Sequence, residues 1–187
     1  MIAANLQGAG QPLVVLAYGA SQGSWEPLAT EIANQGHTVL TFDYRGMGKS
    51  GGKVGNLAGD MAAILRYLGE HGYPRIVCVG HSMGGGACLL AAHQPEMAGL
   101  ILINSVTPRE FYPTLDIRYD DLAYPKLIFV SEDEGLLESN QFIFDQTSQP
   151  KNLLVYPGAS HHLLHTPNSQ EIRQKILAFI SDLAFQK

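Results

Sequence analysis

A serine stands in the middle of a short glycine-bounded segment that suits nucleophilic chemistry. Ser82 lies between Gly80 and Gly84, after an apolar run at 76–79 and before residues 87–92, which are rich in helix formers. This order predicts a sharp strand–turn–helix with a strained backbone and an outward-pointing hydroxyl. The N-terminus of the helix would face an anion that forms beside the hydroxyl. The pattern favours attack on an acyl carbon, and the alternative is a glycine-rich turn whose serine only caps the helix.

The elements that must position this serine alternate between strands and helices. Apolar runs predict strands at 13–18, 38–42, 76–79, 100–103, 127–130 and 153–156, and helical spacing predicts helices at 25–35, 57–71, 136–145 and 169–185. The alternation predicts an α/β fold, a three-layer α/β/α sandwich whose sheet has about six mostly parallel strands. Functional residues then collect at the carboxyl ends of the strands. We expect one domain, 1–187, without repeats or linkers.

Composition and charge narrow the class of protein. With 45% hydrophobic and 16% charged residues the chain is globular, and its net charge of −5 argues against a nucleic-acid partner. No segment approaches the length of a membrane span, and the apolar run at 13–17 is too short for a signal sequence. We interpret Cys78 and Cys88 as buried thiols. The expected location is the cytoplasm.

The segment at 80–85, Gly-His-Ser-Met-Gly-Gly, resembles a common nucleophile elbow of the α/β-hydrolase family, and the resemblance covers nearly the whole chain. It implies a triad in the chain order Ser, acid, His, with Ser82 as the nucleophile. It also implies an oxyanion hole made by the backbone N–H groups of Ala20 and Met83. Tyr18 stands where the family usually has a histidine.

A Gly-Lys-Ser sequence at 48–50 could be mistaken for a phosphate-binding loop. Such a loop needs a glycine where Asp43 stands, and a helix directly after Ser50, where further glycines follow. The stretch instead resembles the Asp-x-Arg-Gly-x-Gly-x-Ser signature of α/β-hydrolases. That resemblance implies a structural loop, without a catalytic role for Asp43 or Arg45.

Two adjacent carboxylates, Asp133 and Glu134, follow the fifth predicted strand. A triad needs a carboxylate here to hold the imidazole in one tautomer and to stabilise its protonated form. Family spacing places the acid at Glu134, whereas the commoner residue type favours Asp133. Both stay candidates, with a slight preference for Glu134.

A run of histidines follows the sixth predicted strand. The family pattern Pro-Gly-x-x-His places the base at His161, with His162 as the runner-up. With His165 the run offers three imidazoles, but no Cys or acid completes a tetrahedral metal site in the sequence. We therefore expect no metal and no other cofactor.

The resemblance implies a serine hydrolase that cleaves a small-molecule carboxylic ester or thioester through an acyl-enzyme. Acyl transfer, peptide cleavage and perhydrolysis are alternatives for the same triad. A non-enzymatic ligand-binding or scaffold module is the alternative from another class. The stretch 106–124 is too short for a lid domain, and residues 1–11 leave little room for an extra strand pair. We therefore expect an open, shallow site.

Overall fold

Strands and helices alternate along the chain in a computed structural model, which describes residues 1–18, 21–108, 118–132, 135–158 and 161–185. The strands are β1 (Ala4–Gln7), β2 (Leu13–Tyr18), β3 (Thr38–Phe42), β4 (Ile76–His81), β5 (Met97–Ile103), β6 (Lys126–Ser131) and β7 (Lys151–Tyr156). The helices are α1 (Glu26–Asn34), α2 (Leu57–Glu70), α3 (Met83–Leu90), α4 (Leu137–Gln146) and α5 (Ser169–Ala184). The predicted alternation is confirmed.

The strands form one mostly parallel sheet in the order β1-β3-β2-β4-β5-β6-β7. All neighbours from β3 to β7 pair in parallel, and β1 pairs antiparallel with β3, with Ala4 opposite Phe42. The expected count of about six strands therefore omits β1. Its four residues carry no apolar run and are mostly exposed. The strand is therefore formed by its pairing with β3 and has no local sequence pattern that predicts it.

Helices cover both faces of the sheet. Alternate residues of a strand point to opposite faces. On β2, Leu13 and Val15 pack in the apolar layer under α2 and α3, whereas Val14 and Leu16 pack in the layer under α1 and α5. Strands buried on both faces are typical of a parallel sheet between two helical layers. The predicted three-layer sandwich is confirmed.

The two cysteines are joined. Cys78 on β4 and Cys88 on α3 are both fully buried and form a disulfide, with their Cα atoms 6.1 Å apart. The prediction that both cysteines are buried is therefore confirmed. The prediction that they are thiols is wrong, because they form a disulfide. The pairing depends on α3 folding back along β4, and a separation of ten residues does not reveal that. The bond links the strand and the helix on either side of Ser82.

The connection between β5 and β6 is short. It comprises residues 104–125, and a separate domain needs about 50 residues or more. The prediction that the fold has no lid domain is confirmed. Within the described ranges, no helix has the length and apolar character needed to cross a membrane.

Candidate active site

Ser82 occupies the sharp turn between β4 and α3. Its backbone lies in the left-handed region, with φ 54° and ψ −123°, a conformation that costs a serine about 1–3 kcal/mol and persists only where the surroundings impose it. The N–H of Ser82 donates to the carbonyl of Ile103 at 3.0 Å, and its carbonyl accepts from the N–H of Val106 at 3.3 Å. The end of β5 and the residues after it therefore hold the turn on both sides.

Gly80 and Gly84 allow this turn because neither position has room for a side chain. A Cβ atom on Gly80 would collide with the backbone of Gly85, and one on Gly84 would collide with the carbonyl of Ala17 on β2. The helix can therefore start directly above the sheet, close to the carboxyl ends of β2 and β4. The need for small residues two before and two after the serine is confirmed.

The loop after β7 is fixed to the turn through the backbone of His161. The carbonyl oxygen of His161 accepts two hydrogen bonds, from Nε2 of His81 at 2.8 Å and from Nδ2 of Asn104 at 2.9 Å. His81 directly precedes Ser82, and its ring centroid lies 4.8 Å from that of His161. The loop and the serine turn are thus neighbours at the same edge of the sheet.

His81 acts in this contact as a neutral donor. The side chain is buried, and burial lowers its pKa to about 4 because the charged ring loses its hydration. A carbonyl oxygen can only accept, so Nε2 carries the proton. At neutral pH the ring therefore binds the His161 carbonyl without carrying a charge.

Asn104 joins the same loop to the end of β6. It is fully buried, and its φ of 42° is also left-handed. Its Oδ1 accepts from the N–H of Ser131 at 2.7 Å, while its Nδ2 donates to the carbonyl of His161. No motif in the sequence predicts a role for Asn104. A lone asparagine after a strand is typical of a turn. Its tolerance of left-handed backbone is a sequence signal that could have pointed to this position.

A pocket of about 200 Å³ opens beside the histidines. The Tyr18 hydroxyl lies 3.5 Å from Nδ1 of His162, and the Tyr18 ring centroid lies 4.6 Å from that of His81. Burial raises the pKa of Tyr18, so its hydroxyl keeps its proton. Trp25 is only 3% exposed and packs with the core layer under α1 and α5. The lining consists of Tyr18, Ser24, Trp25, His81, His162, Leu163, Leu164 and His165.

The chain matches known proteins in sequence and in fold. Residues 12–129 match the family model described as the alpha/beta hydrolase fold. The chain belongs to the α/β-hydrolase family.

Two curated relatives show the extent of the sequence match. The bifunctional esterase/perhydrolase of Acinetobacter calcoaceticus is 31% identical over an alignment of 148 residues, which covers 74% of this chain and 51% of that protein. The non-heme haloperoxidase of Rhodococcus erythropolis is 28% identical over an alignment of 162 residues, which covers 81% of this chain and 57% of that protein. The chain thus spans about half the length of these curated relatives.

Solved structures agree with the fold at low sequence identity. The monoacylglycerol lipase of Paleococcus ferrophilus superimposes with a TM-score of 0.84 at 17% identity, covering 98% of this chain and 99% of that one. An esterase from Exiguobacterium antarcticum gives a TM-score of 0.78 at 16% identity, covering 96% and 95%. These likenesses confirm the α/β-hydrolase fold.

The α/β-hydrolase signature loop after β3 is held by the carboxylates of Asp43 and Asp60. Burial alone would raise the pKa of Asp43, but hydrogen bonds from Lys49 and Gln22 outweigh it and lower the pKa. Asp43 accepts from the N–H of Gln22 at 2.8 Å and from that of Lys49 at 2.9 Å. Arg45 pairs with Asp60, and Ser50 donates to the carbonyl of Asp43. These contacts give Asp43 and Arg45 a structural role.

The hydrolase fold places one predicted oxyanion donor at the turn. Met83 is the first residue of α3, and the first N–H groups of a helix have no partner within it. Its side chain lines a second pocket of about 100 Å³ with Leu57, Leu90 and Pro108. Ala20, the other predicted donor, lies outside the described residues.

The two candidate acids, Asp133 and Glu134, also lie outside the described residues. Ser131 ends β6 just before them, held by Asn104. Another carboxylate, that of Asp121, lies 3.4 Å from the His93 ring and 3.6 Å from the Arg118 guanidinium. His93 follows the C-terminal end of α3, whereas Ser82 lies at its N-terminal end.

The histidine run does not form a recognisable metal site. His162 and His165 are exposed, and their ring centroids lie 5.9 Å apart. Within the part of the chain that the structure describes, no group of three or more His, Cys, Asp or Glu side chains could hold a metal ion. The contacts of this run are instead with Tyr18, His81 and Asn104.

Proposed function

We propose that this chain is a serine hydrolase that cleaves carboxylic esters or thioesters of small molecules. The observation that carries the proposal is the backbone of Ser82, a non-glycine residue with φ 54° between a buried strand and a helix. A serine held in this way presents its hydroxyl above the carboxyl end of the sheet. The half-buried side chain of Ser82 remains accessible to a substrate.

In the proposed reaction the hydroxyl of Ser82 attacks the acyl carbon while His161 takes its proton. His161 then gives the proton to the leaving group, and water hydrolyses the acyl-enzyme. The N–H groups of Met83 and Ala20 stabilise the oxyanion, each contributing about 3 kcal/mol in related chemistry. Glu134, or alternatively Asp133, orients the imidazole.

The choice of His161 over His162 is supported by how each is held. The backbone of His161 is fixed by His81, the neighbour of the nucleophile, and by Asn104. The ring of His162 faces Tyr18 and His165 at the rim of the larger pocket. A base must also lie close to its nucleophile, and the ring centroid of His161 is nearer to that of His81, the neighbour of Ser82, than the ring centroid of His162 is, at 4.8 Å against 5.6 Å.

The pockets favour a compact substrate. The pocket beside the histidines has a volume of about 200 Å³ and is lined by aromatic, imidazole and leucine side chains. Pockets for drug-sized ligands occupy roughly 300–1,000 Å³, so this one suits a short acyl chain or a single ring. The relative from Acinetobacter calcoaceticus is named an esterase/perhydrolase, which supports ester cleavage.

The proposal is tested by comparing Ser82→Ala with Ser181→Ala on short p-nitrophenyl esters. Ser181 lies on α5 and bonds to Gln35, far from the turn. We expect Ser82→Ala to lose at least about 1,000-fold in turnover, with Ser181→Ala unchanged and both proteins folded. Near wild-type turnover in folded Ser82→Ala would exclude Ser82 as the nucleophile. Absence of turnover in the wild type on every ester tested would favour the binding-module alternative.

A further inference from the structure

We propose that Asn104 is a positioning residue of this hydrolase, which fixes the loop of the base against the strand that leads to the acid. The inference rests on the proposed function, in which His161 is the base and Glu134 or Asp133 is the acid. It concerns a side chain that the chemistry of the reaction does not itself require. Asn104 acts only through the backbone groups that it binds.

The two ends of the Asn104 amide bind two different elements. Nδ2 donates to the carbonyl of His161 at 2.9 Å, and Oδ1 accepts from the N–H of Ser131 at 2.7 Å. One side chain thus sets the distance between the backbone of the base loop and the end of β6. Since Asn104 is fully buried, water does not compete with its amide for these bonds.

The backbone beside Asn104 binds the third element of the site. Ile103 accepts from the N–H of Ser82 at 3.0 Å, and Val106 donates to the carbonyl of Ser82 at 3.3 Å. Residues 103–106 therefore contact the nucleophile turn through the main chain, and the base loop and β6 through the Asn104 side chain. A change in this short segment alters the relative placement of all three.

Asparagine meets three requirements of this position together. It offers one donor, one acceptor and a tolerance of positive φ, here 42°. Aspartate tolerates the backbone and keeps the acceptor for Ser131, but it cannot donate to His161. Glycine tolerates the backbone and provides neither group. The two substitutions therefore remove one or both bonds without adding backbone strain.

The experiment measures kcat and KM for Asn104→Asp and Asn104→Gly. We expect kcat to fall by about 10- to 100-fold, since a misplacement of about 1 Å can cost that much, with KM changing far less.

Thr38→Val is the matched control. Thr38 is also a buried side chain that bridges two backbone groups: it accepts from the N–H of Gly10 at 3.0 Å and donates to its carbonyl at 2.9 Å. It lies at the amino end of β3, away from the site. Its loss should lower the melting temperature and leave kcat and KM unchanged.

The results separate the two proposals. Folded Asn104 variants with kcat within about twofold of wild type, or with equal losses in kcat and rises in KM, would overturn the positioning role alone. So would failure of both variants to fold while Thr38→Val folds, which would assign Asn104 a purely structural role. Turnover that survives Ser82→Ala would overturn the proposed function and the positioning role together.

Discussion

Nε2 of His81 donates a hydrogen bond to the carbonyl oxygen of His161 across 2.8 Å. The residue beside the proposed nucleophile thus holds the backbone of the proposed base. Because His81 is buried and its pKa falls to about 4, the bond is made by a neutral ring. Protonation of His81 would place an uncompensated charge among the neighbouring rings of Tyr18, His161 and His162.

The stability of the protein should therefore fall in mild acid. A histidine has a pKa of 6.5 when unfolded and about 4 at this buried position, so between these values the unfolded state binds more protons. The stabilisation is complete above pH 6.5 and is lost as the pH falls to 4, by roughly 3 kcal/mol in the free energy of unfolding.

Urea unfolding at several pH values measures this loss in the wild type and in His81→Gln. Glutamine keeps an N–H donor for the carbonyl of His161 and does not titrate. The difference between the two profiles removes the contributions of the titratable groups that the two proteins share. Parallel profiles for the two proteins would contradict the assignment of a depressed pKa to His81.

Substitutions of His161 and His162 should show which of the two is the catalytic base. We expect His161→Ala to lose about 1,000-fold or more in kcat on a short ester, because proton transfer to and from Ser82 is removed. His162→Ala should change KM more than kcat, since its ring lines the pocket. The reverse pattern would make His162 the base.

One carboxylate, and not both, should serve the triad. Adjacent residues of an extended loop point in opposite directions, so one of Asp133 and Glu134 should face the imidazole. Replacing the orienting acid by its amide costs about 10⁴-fold in a well-studied triad, because the imidazole then favours the wrong tautomer. We expect this loss in Glu134→Gln and little change in Asp133→Asn. A large loss confined to Asp133→Asn would assign the acid to Asp133.

Chelators should leave the activity intact. The reaction as proposed uses only side chains and backbone N–H groups, so removal of divalent ions takes away none of its parts. The assay compares turnover before and after dialysis against EDTA, with added Zn²⁺ as the second arm. Activity that is lost in EDTA and restored by Zn²⁺ would instead assign the histidine run a metal.

The strand–helix alternation and the serine turn could be predicted because their signals are local. Gly80 and Gly84 stand at fixed offsets from Ser82, and steric exclusion at both positions follows from the tightness of the turn itself. The buried strands carry β-branched runs, and α2 carries apolar residues at helical spacing. Each of these patterns is complete within a window of about 20 residues.

The features that the sequence did not predict all depend on contacts that form only in the tertiary structure. β1 exists because β3 pairs with it, the disulfide forms because α3 folds onto β4, and Asn104 matters because Ser131 and His161 converge on it. No local sequence pattern around these residues predicts their partners. Their roles appear only once the sheet order has placed the strand ends together.

The central claim, that Ser82 is an activated nucleophile, is tested most directly by a fluorophosphonate probe followed by peptide mass spectrometry. Trypsin releases residues 76–109, which contain both Ser82 and Ser105, and fragment ions assign the label between them. We predict stoichiometric labelling at Ser82 in the folded wild type, slow labelling in His161→Ala, and none in Ser82→Ala or in the heat-unfolded chain. A folded wild-type protein that stays unlabelled at Ser82 would contradict the account.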